Sequence, residues 1–375
     1  MQVLKECEDG IVRRVILLDD AGNDVVLVTR FLSHLSDSGY SPNTLCAYAY
    51  DLRHLVAFSS RHDLTWSEFR PATALEFLAY PRRVPSRRPA QRLGLGVATG
   101  DGRLLAAATV ARVLAATSSF FGWAIAAEEY AGADNPMQRR VDHALGLVPD
   151  RHQPFLGAAS RQQPVRRTVR VRLPIRLPRP LTTDDVDVLL SSISTARDLA
   201  IFLLMLDGGL RPGEVLCLQL EDIAYGRRRV TIRKRDNHPR GARAKARRER
   251  VVDLHEPRTL DAVSRYVLHE RPVEAQSPFV FLVGGTGPRG CEPLSYQAIA
   301  RGFARRLDRL GIRTPDKTPH ALRHTHATAM WEAGMRELAL QRRLGHASPE
   351  SMRIYTRVSN EQVLADYDAA LAGRA

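Results

Sequence analysis

Six residues in the second half of the chain are of types that together can act on a phosphate ester. In chain order they are Arg211, Lys245, His320, Arg323, His346 and Tyr355. Guanidinium groups make paired, charge-assisted hydrogen bonds to the oxygens of an anion, and an imidazole can accept or position a proton. A tyrosine hydroxyl is a nucleophile once deprotonated, but its pKa of about 10 means that it needs help to lose the proton.

The setting of Arg211 favours an anion site. A helix is expected to end at Gly208-Gly209, and Pro212 suits the first turn of the next helix. Arg211 would then stand at a helix N-terminus, which itself attracts anions. The alternative is a purely structural arginine paired with Glu214.

Thr318-Pro319 predicts the start of a helix that carries His320 and Arg323 three residues apart, hence on one face. His320 and His324 have the His-x3-His spacing of some zinc sites. There is no HExxH and no acidic third ligand nearby in sequence, so a metal site is not predicted.

Lysine is rare in this chain, since only four of the 55 Lys and Arg residues are lysines. One of them, Lys245, lies in the basic segment 227–250. Such a run often marks only a solvated face. Burial or neighbouring cations can make a lysine give up its proton, whereas arginine stays protonated in proteins. A general acid within this segment would therefore have to be a lysine.

Together these residues resemble the catalytic set of the tyrosine recombinase (phage integrase) family, which has Arg, Lys, His-x-x-Arg, His and Tyr in fixed order. Arg211 stands in a Gly-Leu-Arg-x-x-Glu setting, His346 in Leu-Gly-His, and Tyr355 nine residues further on. The resemblance is strong over residues 181–360 and weak over the helical segment 25–130. The Ala-Arg-Ala-Lys context of Lys245 resembles a transposon-borne branch of the family.

The resemblance implies that Tyr355 attacks a DNA phosphate, giving a 3′-phosphotyrosine link and a free 5′-hydroxyl, while Lys245 protonates the departing 5′-oxygen. His320 would accept a proton or position the phosphate. Contacts to phosphate oxygens would come from Arg211, Arg323 and His346. No metal, ATP or other cofactor is expected. Because residues 236–243 lengthen the sheet turn beyond the family's usual length, Lys234 remains an alternative to Lys245.

The composition agrees with a nucleic-acid partner. The 375 residues suffice for two or three domains, and their formal net charge is +14, which favours a polyanion. No apolar stretch approaches the roughly 18 residues of a membrane span, and residues 1–10 do not read as a signal peptide. The four cysteines show no CxxC spacing, so a reducing cytoplasm is expected, with no disulfide framework or zinc finger.

The chain is predicted to be multidomain and mainly α. Residues 1–24 form an N-terminal extension with a hairpin, whose apolar runs Ile11–Leu18 and Val25–Val28 flank a polar turn. An all-helical DNA-binding domain spans 25–135, and a Pro/Arg-rich linker spans 136–180. Residues 181–375 form a mixed α/β catalytic domain, mostly helical with a small antiparallel sheet and a C-terminal tail helix.

By resemblance, the partner is double-stranded DNA, bound by a homotetramer that joins two recombination sites, with accessory DNA-bending or partner recombinase proteins. The tail helix, residues 361–375, would pack on its own domain or on a neighbouring protomer, and both remain open. The expected function is site-specific recombination for integration, excision or transposition of a mobile element. The alternatives are a type IB topoisomerase-like activity and a non-catalytic DNA-binding relative.

Overall fold

The chain divides into two compact units, Met1–Ile175 (unit 1) and Arg176–Ala375 (unit 2). Unit 1 is mainly helical and unit 2 is a mixed α/β domain, as the sequence predicts. The computed structural model describes residues 1–8, 11–86, 104–137, 139–141, 165–167, 169–173, 180–244 and 249–345.

The described part of unit 1 combines a hairpin and four helices with a pair of three-residue strands. In chain order these are β1 (Gln2–Glu8), β2 (Ile11–Leu18), α1 (Val26–Asp37), α2 (Pro42–Arg61), α3 (Pro71–Arg83), α4 (Ala107–Ala126), β3 (Arg139–Val141) and β4 (Val165–Arg167). Helix α2 begins as predicted. The Ser41 hydroxyl accepts from the Thr44 amide at 3.2 Å, and Pro42 occupies the first turn, where its missing N–H costs no helical bond.

The N-terminal hairpin pairs different strands from those predicted. Ile11–Leu18 is a strand, but its antiparallel partner is Gln2–Glu8, and the apolar run at 25–28 belongs to α1. That run continues at helical rather than strand spacing, which puts one face of α1 into the core. The buried apolar residues of this face are Val28, Phe31, Leu32 and Leu35. Gln2–Glu8 gave little signal because only three of its seven residues, Val3, Leu4 and Cys7, are apolar and they do not alternate.

The hairpin is also part of the core of unit 1 rather than a separate extension. Val15 and Leu17 of β2 are 2% and 0% exposed and pack within the helical core. After β2, the Asp19 carboxylate accepts from the amides of Ala21 and Asn23 at 2.9 and 2.8 Å. Asp side chains favour turns of this kind, and this one ends the strand and connects it to α1.

Helix α4 lies at the centre of unit 1. Among the described residues it is the one helix with the length and apolarity of a membrane span, and half of that window is buried inside the unit. Val113, Phe120 and Phe121 are 0% exposed, and Phe121 stacks on Phe69 with ring centroids 4.8 Å apart. The apolar character of α4 is therefore accounted for by core packing.

The predicted linker, residues 136–180, is described only in part. Arg139–Val141 pairs antiparallel with Val165–Arg167, and Val169 is 3% exposed in the core of unit 1. These parts are paired and packed where the composition predicts an extended connector. The rest of the predicted linker, namely residues 138, 142–164, 168 and 174–179, lies outside the described residues. The domain boundaries stay a prediction.

Unit 2 encloses the longest apolar segment of its sequence. Every residue from Ala200 to Leu206 is buried, so α6 is surrounded by the rest of the unit. The Thr182 hydroxyl caps α5 by accepting from the Asp185 amide at 3.1 Å. The described elements of unit 2 are α5 (Thr183–Ser191), α6 (Ala196–Leu206), α7 (Pro212–Leu216), β5 (Ile223–Ala224), β6 (Arg229–Ile232), β7 (Arg250–Asp253), α8 (Pro257–Arg265), α9 (Tyr296–Arg309), α10 (Pro319–Glu332) and α11 (Glu337–Leu344).

The small antiparallel sheet has the order β5-β6-β7. The predicted strand pair is confirmed in the register that places Val230 opposite Val252 and Ile232 opposite Arg250. Beyond β6, an isolated bridge joins Arg235 to Ala244. The two residues of β5 are too few to show a periodic pattern, so this strand was not predicted.

Candidate active site

A turn that requires glycine connects the end of helix α6 to Arg211. Gly209 has φ +65°, a left-handed conformation that glycine adopts at no steric cost, and a Cβ there would lie 2.5 Å from Cδ2 of His326. Arg211 then caps α7. Its amide donates to one Glu214 carboxylate oxygen at 2.8 Å and its Nη1 to the other at 2.8 Å. The Arg211 side chain is 29% exposed and so reaches solvent.

Arg323, on α10, lies close to Arg211 at the C-terminal end of α11. It is 2% exposed, and it donates through Nη1 to the Gly209 carbonyl and through Nη2 to the Leu344 carbonyl, both at 2.6 Å. Arg211 donates to the carbonyls of Leu344 and Gly345, both at 3.2 Å. The two arginines predicted from the sequence therefore converge on the two residues that precede His346.

Glu214 is the shared counter-charge of these arginines and is 1% exposed. Two N–H groups of Arg250 donate to its carboxylate at 3.0 and 2.7 Å, and Nη1 of Arg323 lies 3.7 Å from it. Burial by itself raises the pKa of Glu214. The hydrogen bond and charge of Arg250, with the charges of Arg323 and Arg211, outweigh burial and lower that pKa to about 2. Glu214 is thus ionised at neutral pH.

Sequence reasoning missed Arg250, although this residue ends the basic segment 227–250 that contains Lys245. Besides binding Glu214, its Nε donates to the Arg343 carbonyl at 3.0 Å. Gly345 has φ +63°, and a Cβ there would lie 2.7 Å from Nη1 of Arg250. The glycine of the Leu-Gly-His motif is therefore needed both for its backbone conformation and for this close approach.

His320 lies on α10 one turn before Arg323. Its ring keeps access to solvent, although protein atoms crowd much of its surroundings. This desolvation, followed by the positive charges of Arg323 and Arg211, lowers the pKa of His320. A neutral imidazole at neutral pH can accept a proton. His324 stands one turn further along with its ring centroid 6.4 Å from that of His320.

His326, on the same helix, is a structural histidine that the sequence did not single out. It is 4% exposed, its Nδ1 lies 2.8 Å from the Leu206 carbonyl, and its Nε2 lies 3.2 Å from Nε of Arg343. Since carbonyls only accept and guanidiniums only donate, the ring is neutral with its proton on Nδ1. Burial, then the charge of Arg343, lower the pKa of His326 to about 4.

We expect unit 2 to lose stability as the pH falls from 6.5 to 4. The unfolded chain binds a proton at each histidine near pH about 6.5, whereas folded His326 resists protonation down to about pH 4. In that window the unfolded state holds more protons, so the free energy of unfolding decreases with falling pH, by about 3 kcal/mol for one such group. His324 and His238, whose pKa values are likewise lowered to about 4, add to it with the same sign.

The measurement is urea unfolding of the full chain at several pH values. Pulse hydrogen exchange in peptides of α6 and α10 monitors the unfolding of unit 2. His326→Asn should be less stable at pH 7 and should show a shallower pH dependence between 6.5 and 4. An unchanged slope would show that His326 does not stay neutral in the fold.

Three of the predicted site residues lie outside the described residues, namely Lys245, His346 and Tyr355. Their assignments stay predictions. The alternative lysine, Lys234, is exposed between Arg233 and Arg235, which pair with the carboxylates of Glu221 and Asp222. Within the described ranges, no three His, Cys, Asp or Glu side chains are grouped as a metal ion would need.

Two family matches cover most of the chain. Residues 179–362 match the phage integrase family, and residues 28–128 match the phage integrase N-terminal SAM-like domain. The first range contains every residue of the predicted catalytic set, and the second falls within the predicted helical domain.

Individual proteins similar to this chain include recombinases and a transposase. Transposase A from transposon Tn554 of Staphylococcus aureus is 28% identical over 357 residues, 95% of this chain and 94% of that protein. Tyrosine recombinase XerC of Chlamydia caviae is 33% identical over 194 residues, 50% of this chain and 57% of that protein.

The fold is shared with a solved structure of the Tn1549 transposon integrase in complex with transposon right end DNA. The match covers 92% of this chain and 98% of that one, with a TM-score of 0.64 at 16% identity. The XerH site-specific recombinase bound to its difH substrate matches over 87% of this chain and 78% of its own, with a TM-score of 0.56 at 17% identity.

Proposed function

Because the chain belongs to the phage integrase family of tyrosine recombinases, we propose that it is a site-specific recombinase that cuts and rejoins double-stranded DNA through a 3′-phosphotyrosine link. The observation that carries this proposal is the convergence of Arg211 and Arg323 on the backbone just before His346. Two guanidiniums held in this way are suited to the charge that develops on phosphate oxygens in the transition state.

The first step is phosphate binding. Arg211 and Arg323 donate to peptide carbonyls in the structure, and a phosphate oxygen carries more negative charge than a carbonyl oxygen. A DNA phosphate therefore competes effectively for these N–H donors. Glu214 keeps the guanidiniums in place, and its lowered pKa ensures that it remains their counter-charge at neutral pH.

The covalent step transfers the phosphoryl group from DNA to the protein. The Tyr355 oxygen bonds to phosphorus as the bond to the 5′-oxygen breaks, leaving a 3′-phosphotyrosine and a free 5′-hydroxyl. His320, kept neutral by its lowered pKa, takes up the tyrosine proton or positions the phosphate, and Lys245 supplies a proton to the 5′-oxygen. The phosphotyrosine conserves the bond energy, so a second 5′-hydroxyl can rejoin the strand without ATP.

We assign the activity to the movement of a mobile element. The similarity to the Tn554 transposase runs through 95% of the chain at 28% identity, and the Ala-Arg-Ala-Lys context of Lys245 resembles a transposon-borne branch of the family. The +14 net charge favours DNA as the partner. We further propose a homotetramer that brings two sites together, assisted by accessory DNA-bending or partner recombinase proteins, in the cytoplasm.

A suicide substrate tests the proposal. A duplex that carries the element's own end and a nick close to the cleavage position loses its short 5′-hydroxyl fragment after cleavage, which traps the covalent intermediate. With EDTA present, the wild-type protein should form a protein–DNA adduct that survives a denaturing gel, and Tyr355→Phe should form none because it lacks the phenolic oxygen.

Two further outcomes decide between related functions. Binding of the element's end without any adduct in wild type would favour the non-catalytic DNA-binding alternative. Relaxation of supercoiled plasmids that lack the element's end, at a rate independent of sequence, would favour a type IB topoisomerase-like activity. An adduct that persists in Tyr355→Phe would contradict the assignment of the nucleophile.

A further inference from the structure

The turn that lengthens the β6–β7 connection is packed against unit 2. Residues 236–243 form this insertion, and two of its members are buried, His238 at 4% and Ala242 at 6% exposure. The residue that follows it, Ala244, is 3% exposed. A turn that served only to join two strands would need none of this burial.

His238 anchors the tip of the insertion. Its ring packs edge-on against Phe279 with centroids 4.8 Å apart, and its Nδ1 accepts from the Arg240 amide at 3.1 Å. The Arg240 guanidinium in turn pairs with Glu292. Burial, then the charge of Arg240, lower the pKa of His238 to about 4, so the ring is neutral and suited to an aromatic neighbour.

The other end of the insertion lies against the helix that Arg211 caps. A Cβ on Gly213, in the first turn of α7, would lie 2.6 Å from the Arg243 carbonyl oxygen, so the two backbones are in contact there. One residue later, the Ala244 amide donates to the Arg235 carbonyl at 3.0 Å. The backbone is therefore fixed up to the residue that is bonded to Lys245.

We propose that His238 is a positioning residue for the leaving-group step, holding the insertion against α7 and thereby setting where the lysine turn begins relative to Arg211. The inference rests on the proposed recombinase function and on Lys245 as the proton donor. His238 contacts no reacting atom. Its effect is to fix the backbone from which the proton donor extends.

The leaving group offers a test that separates positioning from general damage. When the bridging 5′-oxygen of the scissile phosphate is replaced by sulfur, the departing group is a thiolate. Thiols have pKa values near about 8.5, so a thiolate leaves without a proton from a general acid. A defect confined to proton donation disappears with this substrate, whereas a defect in phosphate binding or in the nucleophile does not.

His238→Ala should slow cleavage of the ordinary suicide substrate by about 10- to 100-fold, the range expected when a catalytic group is misplaced by about 1 Å. On the 5′-thio substrate it should react within about threefold of wild type. The matched control is His255→Ala, which changes an exposed histidine that follows β7 and should match wild type on both substrates. DNA affinity should be unchanged in both variants.

Arg240→Ala provides a second test of the positioning role, and it does not remove a buried ring. It breaks the pair with Glu292 and should give the same substrate-dependent defect at smaller size. An equal loss on both substrates, or no loss on either, in His238→Ala and Arg240→Ala would overturn the positioning role. If wild type itself forms no adduct on either substrate, the proposed recombinase function fails instead.

Discussion

Glu214→Gln is expected to lower the free energy of unfolding of unit 2 by about 3–5 kcal/mol, the usual cost of removing one partner from a buried ion pair. The substitution keeps the shape of the side chain but removes the charge that balances Arg250 and Arg323, which are 9% and 3% exposed at their side chains. Two guanidiniums would then be buried beside an amide that can accept through only one oxygen.

Urea unfolding at pH 7 measures this loss, and the acid range provides an independent check. The carboxylate's pKa is about 2 in the fold against 4.5 ordinarily, so its stabilisation is complete above pH 4.5 and is lost as the pH falls towards 2. Glu214→Gln has no such group and should lack this component.

The control for Glu214→Gln is Glu221→Gln. Glu221 also pairs with two arginines, Arg233 and Arg235, but its side chain is 61% exposed, so its loss should cost no more than about 1 kcal/mol. Equal effects of the two substitutions would show that Glu214 does not act as a buried counter-charge.

The local features of the fold were predictable because their causes are local. Ser41-Pro42 and Thr182 predict helix starts through capping interactions that span three or four residues. The β6–β7 pair follows from the alternation of apolar and polar residues on either side of a turn. The hairpin partner of Ile11–Leu18 was missed because the pairing strand, Gln2–Glu8, shows too few apolar residues for a periodic signal. Strand pairing depends on what packs beneath it.

The residues of the site likewise divide into those that the sequence predicted and those that it did not. The types and spacing of Arg211, His320 and Arg323 identified them in sequence, and the structure brings the two arginines together. Arg250 and His326 were not identified because their roles depend on contacts with residues far along the chain, such as the Arg343 carbonyl and the Leu206 carbonyl. A charged residue in a basic run gives no sign of being the one that is buried.

Arg211→Lys is expected to slow formation of the covalent adduct by about 10²–10³-fold, the range for removing one transition-state donor. Lysine keeps the positive charge, so the loss reports geometry. A guanidinium can keep its bond to Glu214 and offer a phosphate the N–H groups that Arg211 directs to the Leu344 and Gly345 carbonyls in the structure. An ammonium group is a single point charge and cannot do so.

The effect should fall on the rate of cleavage and spare DNA binding, because Arg211 supplies one phosphate contact among many and the ammonium preserves its charge. Single-turnover adduct formation and a binding titration at fixed salt separate the two. Arg301→Lys is the matched control, since Arg301 is exposed on α9 and should leave both quantities unchanged. If Arg211→Lys cleaves within about threefold of wild type, the forked hydrogen bonding of Arg211 is not what stabilises the transition state, and the charge alone suffices.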